Sequence, residues 1–111
     1  MKVNLGKYPK TINEQERVVE IEIDPEDTWN LFHTLALIIH PSLKLFKEES
    51  FCHPIINDDG NDLKDWNAIL DKMIFAFEKL IEDDLYDDQK IDDKIQEGLN
   101  LFAEYFRALW Y

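Results

Sequence analysis

The sequence predicts a mainly α-helical protein, a three-helix domain with a short strand or hairpin at its N-terminal end. Three long stretches repeat apolar residues every three or four positions, which is the spacing of amphipathic helices. One shorter stretch alternates apolar and acidic residues, as a half-buried strand does. With 111 residues, 45% of them hydrophobic, the chain has the size of a single domain over 1–111 and enough apolar side chains for a core.

The strand prediction rests on residues 17–23, RVVEIEI, in which Val19, Ile21 and Ile23 share one side. Residues 2–5 carry a weaker strand pattern. Because a lone strand does not persist in water, we expect 17–23 to pair with the N-terminal segment or with another subunit, and to bury its apolar side.

The first helix is predicted to begin at Asp24 and to end near residue 49. Asp24 suits the N-cap and Pro25 suits the first helical position. Pro41 has no N–H group, so we expect a kink or a break near His40. Residues 29–46 are apolar around most of the helix circumference, which predicts that the rest of the chain covers this helix on more than one side.

Two further helices follow a turn-rich loop at 50–61. The second is predicted from Asn61 or Asp62 to about Asp83, and the third from about Asp87 to Leu109, with a short acidic link between them. Gly98 interrupts the third helix, and we interpret it as a point where two helices pack closely.

The charge of the chain restricts its partners. With 24 acidic and 12 basic residues the net charge is -12, which argues against direct contact with nucleic acid or an anionic membrane. Cys52 is the single cysteine, so no intramolecular disulfide forms and a reducing, cytoplasmic setting fits best. No apolar run reaches the length of a membrane span.

The sequence contains no spacing typical of a catalytic, phosphate-binding or metal-binding motif, which predicts a non-enzymatic protein without cofactor or metal. The stretch around Gly60 resembles a calcium loop. With Gly60 at the turn position, however, the first ligand position would be Ile55 and the twelfth would be Trp66. Neither side chain has an oxygen to offer, so this form of calcium site is excluded.

Polar and aromatic side chains recur along one face of the first helix. Successive members of the set Trp29, His33, His40 and Lys44 are four or seven residues apart, so they share a side of the helix. They would offer a stacking surface and hydrogen-bond donors to a small anionic ligand. The alternative interpretation is that the histidines are half-buried and hydrogen-bonded while Lys44 is solvated.

The strongest charge feature is the segment 82–104. It holds nine acidic residues and two lysines, so it carries seven net negative charges. Such a row would imitate DNA phosphates or bind a basic protein, and the alternative is a solvated helix face. The candidate protein-binding residues are Asp83, Asp84, Asp87, Asp88, Asp92 and Asp93.

The C-terminal residues 101–111, LFAEYFRALWY, contain five of the 14 aromatic residues of the chain. This is more apolar surface than one small core easily hides. We therefore expect a homo-oligomer contact at this end.

Three stretches resemble, in matching order, a family of small uncharacterised proteins encoded by tailed bacteriophages. They are DTWNLFHTLALIIHPSLKLFK at 27–47, DWNAILDKMIFAFE at 65–78 and QEGLNLFAEYFRALW at 96–110. Family members carry longer acidic insertions before the second helix and between the second and third. The resemblance implies a phage origin and directs the search for a shared ligand site to the polar and aromatic positions of these motifs: Asp27, Thr28, Trp29, His33, Thr34, Trp66, Asp71 and Glu78.

The predicted function is that of a non-enzymatic phage accessory protein in the host cytoplasm, one that sequesters a small anionic, nucleotide-like ligand to counter host defence. Alternatives are an acidic inhibitor or DNA mimic that binds a basic host protein, a virion or assembly component, and least favoured an enzyme using Asp71, Glu78 and His33. The candidate ligand-binding residues are Trp29, His33, Thr34, His40, Lys44, Trp66, Asp71 and Glu78.

Overall fold

A computed structural model describes residues 1–10, 16–50, 52–56, 60, 62–82 and 88–110. The chain divides into two compact units, Met1–Thr34 and Leu35–Tyr111. The predicted fold class is confirmed: three helices make up most of the structure, and a two-stranded antiparallel hairpin stands at the N-terminal end.

The hairpin pairs β1 (Lys2–Asn4) with β2 (Glu20–Glu22) in antiparallel register. This confirms that the alternating segment pairs with the N-terminus, although both strands are shorter than predicted. Gly6 has a φ of +66°, and a Cβ there would lie 2.7 Å from the Val18 carbonyl oxygen, so the close approach of the two segments requires glycine. The expected burial is wrong, because Ile21 and Ile23 are each more than half exposed.

The predicted start of the first helix is also wrong. Residues Pro25–Thr28 form a single 3-10 turn, in which the Asp24 N–H donates to the Asp27 carboxylate at 2.9 Å. The α-helix α1 then spans Leu31–Glu49, beginning in the first unit and continuing into the second. The local hydrogen bonds of two aspartates therefore produce a tight turn where the sequence pattern predicts the first turn of the helix.

Helix α1 continues without a break through Pro41. The missing N–H of Pro41 leaves the Leu37 carbonyl without its usual helical donor. One residue further, the Ser42 hydroxyl donates to the Ile38 carbonyl at 2.7 Å, a back-bond that bends helices slightly while satisfying the side chain. The predicted break is therefore not present.

Helix α2 spans Asp62–Ile81 and α3 spans Gln89–Tyr105, followed by a 3-10 turn at Phe106–Ala108. Both helices agree with the prediction to within a few residues. Gly98 confirms its predicted role, because a Cβ there would overlap the Lys72 carbonyl oxygen and lie 2.5 Å from the Ala76 Cβ. The backbones of α2 and α3 therefore come into direct contact at this point.

The core of the second unit is centred on α2 rather than on α1. Among the described residues, α2 supplies five of the seven buried hydrophobic side chains, and α1 supplies Ala36 and Leu43. The expectation that the chain covers α1 on several sides is wrong, since much of its apolar surface is exposed. The α2 residues in the core are Trp66, Leu70, Met73, Ala76 and Phe77.

Candidate functional site

Three of the predicted ligand-binding residues lie in the first unit, on the turn and helix start that follow β2. Trp29 follows the 3-10 turn and its side chain is 81% exposed, so its ring is available for stacking. His33, in the first turn of α1, is half-buried. The Thr34 hydroxyl donates to the Asp27 backbone carbonyl at 3.0 Å, so Thr34 links the first turn of α1 to the 3-10 turn that precedes it.

The Asp27 carboxylate contacts two polar groups of this unit. It lies 2.8 Å from the Met1 ammonium and also accepts the Asp24 N–H. The hydrogen bond to the Met1 ammonium is the main cause that holds the pKa of Asp27 below its ordinary 3.8. The same hydrogen bond raises the pKa of the Met1 amino group above its ordinary 8.0. This pair ties β1 to the start of the helical part of the chain.

Two predicted ligand residues meet in the second unit. Lys44 and Asp71 line one shallow cleft of about 310 Å³ between α1 and α2, together with Lys47, Glu48 and Ile74. The Asp71 carboxylate pairs with the Lys47 ammonium at 2.5 Å. Because the cleft holds carboxylates beside its lysines, its charges largely balance, which does not favour an anionic ligand.

The remaining predicted ligand residues lie apart from this cleft. His40 is half-buried on α1, and Glu78 is exposed on α2. Trp66 is only 1% exposed and stacks edge-on against Tyr105, with 5.6 Å between ring centroids. Trp66 therefore packs in the core, and its Nε1 has no hydrogen-bond partner in the part of the chain that the structure describes.

The predicted acidic protein-binding face is described in part. Asp83, Asp84 and Asp87 lie outside the described residues. Asp88, Asp92 and Asp93 are exposed at the start of α3. The Asp88 carboxylate caps the helix by accepting the Lys90 N–H at 2.9 Å, which places negative charge at the positive end of the helix dipole.

One of the two lysines of this segment lies beside α2. Lys94 lines a cleft of about 270 Å³ with Asp71, Lys72 and Phe75 of α2. Lys72 in turn pairs with Glu97 of α3 at 2.7 Å. The other lysine, Lys90, is exposed near Asp88, and the side chains of Asp92 and Asp93 are exposed as well.

One concave surface of the second unit was not predicted from the sequence. It is a groove of about 420 Å³ between α1 and the C-terminal end of α3, within the size range of ligand sites. Its lining is apolar except for Ser42, whose hydroxyl already donates to the Ile38 carbonyl. The lining residues are Ile38, Ile39, Ser42, Leu43, Phe46, Phe102, Phe106 and Leu109.

Two sequence signals pointed towards this groove. One is the apolar circumference of α1, which exceeds what a single neighbouring helix can cover. The other is the C-terminal aromatic cluster in residues 101–111. In the structure its Phe102 lies edge-to-face with Phe77 of α2 and with Phe106, at centroid distances of 4.9 and 5.1 Å. Neither signal says by itself where the two surfaces meet.

Among the described residues, no group of histidine, cysteine and carboxylate side chains is arranged to hold a metal ion. The described helices include none with the length and apolar character to cross a membrane. Comparison of the chain with protein-family models, curated proteins and solved structures finds no match.

Proposed function

We propose that this chain is a non-enzymatic accessory binding protein of phage type that acts through protein–protein contacts. The observation that carries the proposal is the apolar groove, whose described lining contains no charged side chain. Such a surface suits the apolar face of another protein helix far better than a phosphate or a carboxylate. The phage origin rests on the resemblance of the three sequence motifs, and action on host defence is a hypothesis that follows from that origin.

Native mass spectrometry of the chain purified from bacterial cells distinguishes this proposal from the binding of a small anionic ligand. We expect the chain to form complexes with copies of itself or with other proteins, and to carry no adduct of nucleotide size. A single copy that carries an adduct of that mass would contradict the proposal and favour the second candidate below.

The exposed carboxylates of α3 suggest the class of host partner. Asp88, Asp92 and Asp93 form the described part of an acidic face in a chain of net charge -12. A basic host protein would be attracted to this face, and its association would weaken as salt rises. This is the inhibitor or DNA-mimic role among the alternatives predicted from the sequence.

Neutralising this face tests its role. The triple change Asp88→Asn, Asp92→Asn and Asp93→Asn removes three negative charges but keeps a good N-cap, because asparagine caps helices as well as aspartate. The control removes the same number of charges elsewhere, at Glu20, Glu22 and Glu26, each changed to glutamine. We expect bacterial lysate proteins of basic character to be captured by the wild type and the control but not by the α3 variant. Equal loss in both variants would mean that net charge, not this face, governs capture.

The second candidate function is the binding of a small anionic, nucleotide-like ligand in the first unit. The exposed ring of Trp29, with His33 one turn along the chain, is the observation that favours it. Trp29→Ala should then abolish retention of the adduct, whereas Trp110→Ala, which removes another exposed indole, should not. Unchanged retention in the Trp29 variant would exclude this site.

A further inference from the structure

Helix α1 carries two apolar stripes in the second unit. The first stripe contains Ala36 and Leu43 and packs into the core of that unit. The second, which we call the outer stripe, consists of Leu35, Ile38, Ser42 and Leu45. Its three leucine and isoleucine side chains are 39% to 58% exposed. Successive spacings of three, four and three residues place all four members on one side of the helix, as in helix pairs of bundles.

The outer stripe forms one edge of the apolar groove. Ile38 and Ser42 belong to both the stripe and the groove lining, and the opposite wall comes from Phe106 and Leu109 at the end of α3. Phe106 is itself half exposed. An added helix lying on the outer stripe would therefore contact α1 on one side and the C-terminal aromatic cluster on the other.

We propose that the occupant is a second copy of this chain, whose α1 packs antiparallel on the outer stripe around a two-fold axis near residue 40. This two-fold rotation maps the positions of the outer stripe onto one another. Leu35 of one copy lies opposite Leu45 of the other, and Ile38 lies opposite Ser42. A large side chain thus faces a small one at the centre, which is the arrangement that lets helices interdigitate. Closed two-fold contacts of this kind use the same patch on both copies.

Burial of the stripe leaves no polar group without a partner. The Ser42 hydroxyl, its one polar side chain, already donates to the Ile38 carbonyl within the same helix. Lys44 is the charged side chain of α1 between residues 35 and 45. It lies outside the outer stripe and lines the cleft between α1 and α2. Two copies of net charge -12 therefore meet at an uncharged surface, where desolvation is favourable.

The size of the patch sets the strength of the contact. A half-exposed large side chain offers roughly 100 Å² of apolar surface. Leu35, Ile38, Leu45 and Phe106 therefore present about 400 Å² per copy, below the ~600 Å² per partner at the lower end of stable specific interfaces, so we expect a weak and reversible dimer. The antiparallel contact also reuses the predicted homo-oligomer surface at the C-terminal end.

Charge insertion into the stripe tests the proposal. Ile38→Glu and Leu45→Glu place a carboxylate in the contact, and the control Leu37→Glu makes the same chemical change at a 51%-exposed leucine on another side of α1. In analytical ultracentrifugation we expect the wild type and the Leu37 variant to dimerise at micromolar concentration. Each stripe variant should associate about 100-fold more weakly or not at all. Far-ultraviolet circular dichroism confirms that the variants keep their helices.

A monomeric wild type over the whole concentration range would overturn the proposal, as would equal weakening by the Leu37 variant. This inference rests on the proposed function, because the same apolar groove carries both. A monomeric chain that still holds another protein in native mass spectrometry would contradict the self-contact alone. A monomer without any protein partner would contradict the proposed function as well.

Cross-linking tests the orientation. In a Cys52→Ser background, Leu35→Cys and Leu45→Cys are prepared as separate chains of different mass and treated with a short bifunctional thiol reagent. The antiparallel contact predicts that the mixture yields a covalent dimer joining position 35 to position 45, while each variant alone yields little. Efficient cross-linking of either variant to itself would mean a parallel contact and would contradict the proposed arrangement.

Discussion

Asp27 holds three parts of the first unit together. Its carboxylate binds the Met1 ammonium and the Asp24 N–H, while its backbone carbonyl accepts the Thr34 hydroxyl. Short polar side chains at a helix start commonly act in this way, because they satisfy N–H groups that the helix itself leaves without partners. The sequence identified Asp27 only as a member of a motif, and its role follows from contacts made across the unit.

This pair predicts a defined pH dependence for the first unit. The pKa of Asp27 is lowered, so its contribution to stability is present above the ordinary 3.8 and is lost as the pH falls through the folded value. The pKa of the Met1 amino group is raised, so its contribution is present below 8.0 and is lost as the pH rises through the folded value. Between these limits the ion pair is intact.

Carbon-detected nuclear magnetic resonance titration measures both groups. We expect the Asp27 carboxyl to titrate below 3.8 and the Met1 amino group above 8.0, and Asp27→Asn to lower the amino pKa. Glu26→Gln, an adjacent acidic change, is the control and should leave the amino pKa almost unaltered. An Asp27 pKa at or above its ordinary value would contradict the pairing.

At the scale of elements, the contact between α2 and α3 depends on the missing side chain at Gly98. Gly98→Ala gains up to about 1 kcal/mol of helix propensity. The added Cβ would nevertheless meet the Lys72 carbonyl and the Ala76 Cβ, both on the buried side of α2. Because the obstacle includes backbone, the helices must move apart, and we expect a net destabilisation of about 1–3 kcal/mol.

Chemical denaturation measures this change. Asn100→Ala provides the control, since it raises helix propensity at an exposed position of the same helix and should leave the protein as stable or slightly more so. A Gly98 variant as stable as the wild type would show that α2 and α3 pack less closely than in this structure.

The sequence predicts elements well where one signal dominates. Helix α2 combines regular three-and-four spacing with Asp62 at its start, and the structure begins this helix at the same residue. The start of α1 is different, because Asp24 and Asp27 suit a 3-10 turn as well as a helix start, and the Asp27 carboxylate also pairs with the distant Met1 ammonium. The helix also tolerates Pro41, since packing outweighs one lost hydrogen bond. Local propensity alone therefore predicts neither the start of α1 nor the continuation of the helix through Pro41.

At the scale of the whole molecule, apolar patterns reveal how much surface must be covered but not what covers it. The motif resemblance assigns Trp66 to the candidate ligand site, but Trp66 stands in register with Leu70, Met73 and Phe77, and the structure buries all four in the core. Helix α1 has more apolar faces than its own chain buries, so the sequence alone assigns it the centre of the fold. The groove and the outer stripe become visible only when the three helices are assembled.

The two binding surfaces proposed for this molecule predict opposite responses to salt. Self-association through the outer stripe brings together two chains of net charge -12, so screening of their repulsion should strengthen it. Association of the acidic α3 face with a basic partner depends on attraction, so the same salt should weaken it. Raising the ionic strength from about 0.05 to 0.5 M shortens the screening length several-fold and should separate the two effects.

Sedimentation equilibrium measures the first response, and binding of a short lysine-rich peptide measures the second. We expect the dimer dissociation constant to fall and the peptide dissociation constant to rise over this range. In Leu45→Glu, peptide binding should persist without the dimer, whereas neutralising Asp88, Asp92 and Asp93 should leave the dimer intact or tighten it. Two dissociation constants that move in the same direction with salt would mean that a single surface serves both contacts.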